Sequence, residues 1–339
     1  RDPVHAMARD VQSKTSRRPS LVRLTAFALC CCFRCNRIQL PFTVPSLTRR
    51  DIFVIGATPL ATAPQMAAAS VPSAGQCIRD MATKNAQRDP DSAPSFLRLA
   101  FHDAATKRSD GQGPNGSIRF ELTRNENIGP SLRQALQFIE EIVGKCQVSW
   151  ADAIAVSGAA VVEALGGPKI DVPTGRKDVT MEDAENRLPD GSLTSGAIRD
   201  YFRQLGFSDE ELVALLGAHT VGRWTSLLGV QPSCMAEEGL NFWICTREQG
   251  RRLPFTSRPT LFNNDYFKDV LEFERRQKMP RPTKRYKDRP DGGLPALYLL
   301  PSDIGLLYDA ALHRQVERFA LDQAAFFAAF STAYLKLVS

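Results

Sequence analysis

From residue 70 onward, apolar side chains recur at intervals of three and four rather than in alternation, and that spacing commits the chain to helices packed on helices. Phe96, Leu97, Ala100 and Ala104 form one stripe; Leu132, Leu136, Ile139 and Val143 form a second; Ala153, Val156, Ala160 and Leu165 form a third. Glu210, Leu212 and Leu215 continue the pattern, as do Tyr266, Val270 and Phe273 and a late run from Phe319 to Leu337. Two helix starts are marked: Ser208 with Glu211 makes a capping box, and Ser149 precedes Trp150 and Asp152 as an N-cap. Gly166-Gly167-Pro168, Pro189-Asp190-Gly191 and Pro290-Asp291-Gly292-Gly293 supply turns. There is no internal repeat and no Gly/Ser linker, so residues 70–339 are expected to form one mostly all-α domain.

Residues 1–69 read as an address. They carry a balance of +7, whereas the other 270 residues carry −1, so the net charge of +6 belongs to the leader and the main support for a nucleic-acid footprint disappears. From Met7 the leader is rich in Arg and Ser and poor in acid, the composition of an organelle transit peptide. Arg49-Arg50, the apolar stretch Ile52 to Leu60 and the run Ala67-Ala68-Ala69 then resemble a twin-arginine export signal with cleavage near residue 69. That stretch is far short of the ~20 residues a membrane helix needs, so no transmembrane span is expected. The two-part address resembles that of proteins sent to the chloroplast thylakoid lumen; a secretory h-region from Leu21 to Phe33 is the alternative, interrupted by Arg23.

Cys30, Cys31, Cys32 and Cys35 sit in the leader, leaving Cys77, Cys146, Cys234 and Cys245. Four cysteines allow three pairings. Cys234 and Cys245, close together in one loop-like stretch, are the preferred bridge for an oxidising compartment, with free or buried thiols as the alternative. The basic, Pro-containing stretch 279–289 reads as a solvated surface loop.

Three histidines remain after the leader, and two keep unusual company. Arg98 and His102 stand four apart with Phe101 beside them, which puts a proton acceptor next to a fixed positive charge on one helix face. Such a pair suits cleavage of a bond whose departing atom gains negative charge, although an i, i+4 Arg/His pair is also common by chance. His219 ends an apolar stretch between small residues, Gly217-Ala218 and Val221-Gly222, which leaves room for a large flat ligand. A packed core histidine is the plainer reading. Asp303, in Leu300-Pro301-Ser302-Asp303, is a candidate for the carboxylate that a metal-ligating imidazole usually requires.

The ordered segments LRLAFHDA, NGSIRFEL, ENIG, SWADAIAVSG, GGPKIDVPTGRKD, RLPDG, ELVALLGAHTVGR, PFTSRPTLFNNDYF and LPSD resemble the plant-type haem peroxidase superfamily over residues 73–338, above all its ascorbate-peroxidase-like branch, lumenal members included. The resemblance implies a two-lobed helical fold with haem b between the lobes and hydrogen peroxide as substrate. It implies His219 as the axial iron ligand with Asp303 as its partner. It also implies His102 as distal acid/base, Arg98 as distal cation, Phe101 as distal aromatic and Asn127 as the residue orienting His102.

Departures from that pattern concern the electron donor. Phe255 stands where the branch carries a proximal tryptophan, so a ring radical there is not expected. Leu228, Pro90 and Ser92 stand at the positions of the branch's ascorbate-binding residues, so the donor is expected to be a different, unidentified small molecule. Thr220 and Thr256 match two ligands of the branch's proximal cation site, but Arg258 and Asn263 replace an amide and a carboxylate; a fixed guanidinium could stand in for the ion, and no bound potassium or calcium is expected. An insertion, 224–253, holds Trp243, Cys234 and Cys245, and could cover the haem edge, dock a thylakoid-associated protein partner or serve no catalytic purpose. The competing function is a catalytically weak peroxidase-fold protein acting as a structural partner in the lumen.

Overall fold

Periodicity becomes helix wherever one face finds a partner to bury against. The structure, a computed structural model, describes residues 73–107, 113–127, 129–191, 193–225, 252–277 and 299–339. The leader, Leu228, Trp243, Cys234, Cys245 and the basic stretch 279–289 lie outside these residues. Among the described residues no helix is long and apolar enough to cross a membrane.

The first group of helices comprises α1 (Ala74–Arg88), α2 (Pro94–Ala104), α3 (Pro130–Cys146) and α4 (Trp150–Ala164). Ser149 caps α4 by accepting the Asp152 N–H at 3.1 Å. Helix α4 is buried from Ala151 to Val162, with α1, α2 and α3 packed around it. That crowding explains its small residues: a Cβ on Gly158 would lie 2.1 Å from the Tyr334 hydroxyl and 2.8 Å from the Ala100 Cβ. Cys77 of α1 and Cys146 at the end of α3 form a disulfide with their Cα atoms 5.7 Å apart. This pair was not the preferred one, because Cys77 and Cys146 are 69 residues apart and only the packing of α1 beside α3 brings them together.

The second group comprises α5 (Ser195–Gln204), α6 (Asp209–Leu216), α7 (Asp265–Gln277), α8 (Pro301–Gly305), α9 (Ala310–Leu321) and α10 (Gln323–Leu337). The expected capping box opens α6, with Ser208 Oγ accepting the Glu211 N–H and Glu211 Oε2 accepting the Ser208 N–H. Arg199 of α5 bonds Asp209 at the start of α6 and Asp309, the N-cap of α9, so one guanidinium ties three helices. The late apolar run is two helices rather than one. Asp322 leaves helical geometry (φ −127°, ψ 97°) and its carboxylate accepts the Ala325 N–H, ending α9 and starting α10.

Phe262, Phe267, Phe319, Phe326 and Phe330 are wholly or almost wholly buried and pack ring on ring where α7, α9 and α10 meet. Each contributes about 1.5–3 kcal/mol by burial. Two three-residue strands, β1 (Arg223–Thr225) and β2 (Arg252–Pro254), pair antiparallel with Arg223 opposite Pro254, joining the two ends of the insertion. The helical pattern held no signal for this ladder, since its strands are short and non-local.

Replacing Cys77 and Cys146 together by Ser is expected to lower the unfolding free energy by about 2–4 kcal/mol, the range for opening a long covalent loop. Urea titration with and without reductant measures it; wild type insensitive to reductant would contradict the bridge.

Candidate functional site

Helix α2 buries Phe96, Leu97, Leu99, Ala100, Asp103 and Ala104. The positions it spares, Arg98, Phe101 and His102, fall at i, i+3 and i+4 and make one stripe directed away from the core. Phe101 leans on Phe202 of α5, ring centroids 6.5 Å apart, which steadies the stripe.

The proton positions on His102 follow from its neighbours. Asn127, in the 3-10 turn Asn125–Asn127, donates its Nδ2 to the Glu121 carbonyl at 3.1 Å. Its Oδ1 must therefore face His102 Nδ1, at 2.6 Å, and Nδ1 carries the proton. The lone pair is left on Nε2, which accepts the Arg98 Nε–H at 3.3 Å, while Arg98 also donates to the Glu126 carbonyl at 2.9 Å. Burial first, then the adjacent Arg98 charge, push the imidazole down to about 3, against the Asn127 hydrogen bond. His102 is a neutral base beside a cation.

Asp103, the next residue, is wholly buried and accepts the Gly116 and Ile118 N–H groups at 3.0 and 3.3 Å. Gly116 adopts φ +71°, and a Cβ there would lie 2.7 Å from Arg119 and 3.0 Å from Trp150, so glycine is what lets this loop lie against the start of α4. Burial pushes the Asp103 carboxyl up to about 7; the Gly116 and Ile118 amides oppose the shift, and Glu121 and Asp183 add to it. This contact holds the loop leading to Asn127 against the helix bearing His102.

Across the fold, α6 runs into the 3-10 turn Gly217–Thr220, which carries His219. Gly222, three residues on, meets Pro94 at the start of α2: a Cβ on Gly222 would lie 3.1 Å from that of Pro94. His219 Nδ1 meets Asp303 Oδ1 at 2.9 Å, with Asp303 wholly buried and the imidazole 27% exposed. Phe255 stacks on the ring at 4.7 Å and 10°, and Tyr266 meets it edge-on at 6.0 Å. Tyr266 also donates its hydroxyl to Asp303 Oδ1 at 2.8 Å. Sequence reading saw Tyr266 only as part of an apolar stripe; the available cue was that a buried tyrosine hydroxyl needs a partner.

One expectation for this side needs correction. Gly217 does not make room for a ligand: a Cβ there would lie 2.5 Å from Phe326 and 2.7 Å from Phe267, so its smallness serves the phenylalanine cluster. Arg258 connects to Thr220 through a chain of hydrogen bonds. It bonds Asp265 at 2.8 Å through Nε, Asn263 donates to the same Asp265 oxygen, and Thr220 donates to Asn263. Thr256 bonds the Thr220 carbonyl at 2.8 Å.

Among the described residues no three His, Cys, Asp or Glu side chains converge as ligands for a bare metal ion. His219 offers one nitrogen, Nε2, because Nδ1 is committed to Asp303. A single imidazole with a carboxylate partner fits a metal that brings its other ligands with it, as porphyrin iron does.

Comparison with known proteins places this arrangement. A family model described as peroxidase matches residues 78–322. The putative L-ascorbate peroxidase 6 of Arabidopsis thaliana is 36% identical over 269 residues, covering 77% of this chain and 66% of that protein. The mitochondrial cytochrome c peroxidase of Aspergillus fumigatus is 31% identical, with 77% of this chain and 66% of that protein covered. The L-ascorbate peroxidase 3 of A. thaliana is 34% identical, with 72% and 73% covered. The chain thus spans just under two thirds of the length of the first two relatives.

Because the folded state holds His102 well below the ordinary 6.5, the unfolded chain binds the extra proton first on acidification. Wild type is therefore expected to lose stability relative to His102→Gln as pH falls from about 6.5 toward about 3, with the gap between the two constant above pH 7. Denaturant titrations of both proteins across that range measure it; parallel curves would refute the depressed basicity.

Proposed function

The chain belongs to the plant-type haem peroxidase superfamily, in the class I branch of ascorbate and cytochrome c peroxidases, and from that membership we propose that it reduces hydrogen peroxide at a haem b held by His219, drawing electrons from a small-molecule donor other than ascorbate. The observation that carries the reading is the opposite preparation of two histidines: His102 keeps an unprotonated Nε2 facing Arg98, whereas His219 is backed by a buried carboxylate. Non-covalent haem is favoured because residues 70–339 contain no Cys-x-x-Cys-His attachment motif.

Bound haem would supply the iron at which the peroxide oxygen–oxygen bond breaks and the store of two oxidising equivalents that the donor discharges. His102 Nε2 takes the proton from the near oxygen of hydrogen peroxide and returns it to the far one, which departs as water. The Arg98 guanidinium, anchored on the Glu126 carbonyl, offsets the negative charge growing on the departing oxygen. Asn127 holds His102 in the tautomer the transfer needs. Asp303 makes His219 a stronger electron donor toward iron. Over the cycle one peroxide, two protons and two electrons give two waters.

The donor assignment rests on Pro90, Ser92 and Leu228, which replace the residues implied for ascorbate, and on Phe255, which is hard to oxidise. For location we propose cleavage of the leader near residue 69 and residence in the thylakoid lumen, a reading supported by the two-part address and by the Cys77–Cys146 bridge, which suits an oxidising compartment. A second reading, a weakly active lumenal protein docking a thylakoid-associated partner through the 224–253 insertion, draws on the same lost ascorbate residues. The intact Arg98, His102 and Asn127 set favours the enzyme.

Loading residues 70–339 with haemin is expected to produce a Soret band that changes on adding one equivalent of peroxide. His102→Leu should keep the band and slow the peroxide reaction by about 10²–10⁴-fold. His219→Ala should lose or loosen the haem. A folded chain that takes up no haemin would leave the docking reading in its place.

A further inference from the structure

The carboxylate behind His219 is shared. Asp303 Oδ1 accepts the His219 Nδ1–H at 2.9 Å and the Tyr266 O–H at 2.8 Å, and Oδ2 accepts the Leu300 N–H at 2.8 Å. Asp303 and Tyr266 are both fully buried, so water competes at neither. Tyr266 is held in place by helix α7 and by Phe267, whose ring packs edge-on at 5.0 Å. Burial, with the neighbouring Asp303 charge, holds the phenol well above its ordinary range, so it stays protonated and donating. Phe255, on the flat face of His219, has no side-chain donor to offer. Among the described residues, His219 and Tyr266 are the side chains that donate to Asp303.

An oxygen that accepts two strong donors has less negative charge to give to each. We propose that Tyr266 is a positioning residue of the proximal site, drawing charge from Asp303 Oδ1 so that His219 keeps more neutral-imidazole character than a carboxylate with one side-chain donor would allow. This inference rests on the haem peroxidase reading. A less electron-rich axial nitrogen favours reduced over oxidised iron, so Tyr266 would raise the reduction potential and make the loaded protein a stronger oxidant toward its donor.

The test uses the haemin-loaded chain and spectroelectrochemical titration. Tyr266→Phe keeps the ring and removes only the donor; the reduced-to-oxidised ratio at a fixed potential is expected to fall about three- to tenfold, the weight of one hydrogen bond. In the haem-free chain the His219 Nδ1 proton resonance should move downfield. Placing 3-fluorotyrosine at 266, a stronger donor in nearly the same volume, should shift both readouts the opposite way, and it decides the matter if Tyr266→Phe does not fold. Unchanged readouts, or shifts of the same sign in both variants, would overturn the tuning role while leaving the peroxidase reading intact. Wild type that binds no haemin would sink both.

Discussion

A charged carboxylate with no access to water is the constraint around which the proximal half is assembled. Burying a lone carboxylate costs several kcal/mol, so Asp303 can exist only where donors reach it from every side. They come from three elements: His219 past the end of α6, Tyr266 in α7 and the Leu300 amide at the start of α8. Satisfying Asp303 therefore fixes where these elements meet. A parallel chain from Thr220 through Asn263 and Asp265 to Arg258 ties the same His219 turn to α7. Behind it, Gly217 lets the Phe267 and Phe326 rings pack against the turn itself.

The distal side uses the same logic with a neutral partner. His102 Nδ1 donates to an amide oxygen, whereas His219 Nδ1 donates to a carboxylate. The amide fixes orientation without feeding charge into the ring, which leaves His102 a weak base free to take up and release a proton. The carboxylate feeds charge in, which suits a ring proposed to hold a metal. One residue type thus acquires two chemistries from the atom placed behind it. Another buried carboxyl group, Asp103, holds the loop that leads to Asn127 against α2.

Away from the site, a covalent tie and a short ladder carry out tasks that hydrophobic packing leaves undone. The Cys77–Cys146 bridge joins α1 to α3. The β1–β2 pairing brings the two ends of the long insertion together just beyond His219, with Thr225 opposite Arg252. The turn carrying the histidine is therefore continuous with the base of the insertion.

Helices were legible in the sequence because burying one face is a local demand, repeated every three or four residues. Arg98 and His102 were legible for the same reason, being neighbours on one helix face. Asn127 could be named, and Asp303 paired with His219, only through resemblance, since they meet their histidines across 25 and 84 residues. Tyr266 went unseen as a site residue because its apolar spacing hid a hydroxyl whose partner lies 37 residues away. The break at Asp322, the pairing of Cys77 with Cys146 and the true role of Gly217 were likewise hidden. Sequence by itself determined the helical class and singled out the two histidines, because periodicity and i, i+4 spacing act along the chain. Only tertiary structure decided which carboxylate, amide and phenol stand behind each imidazole, because hydrogen bonds form between atoms that packing, not chain order, makes neighbours.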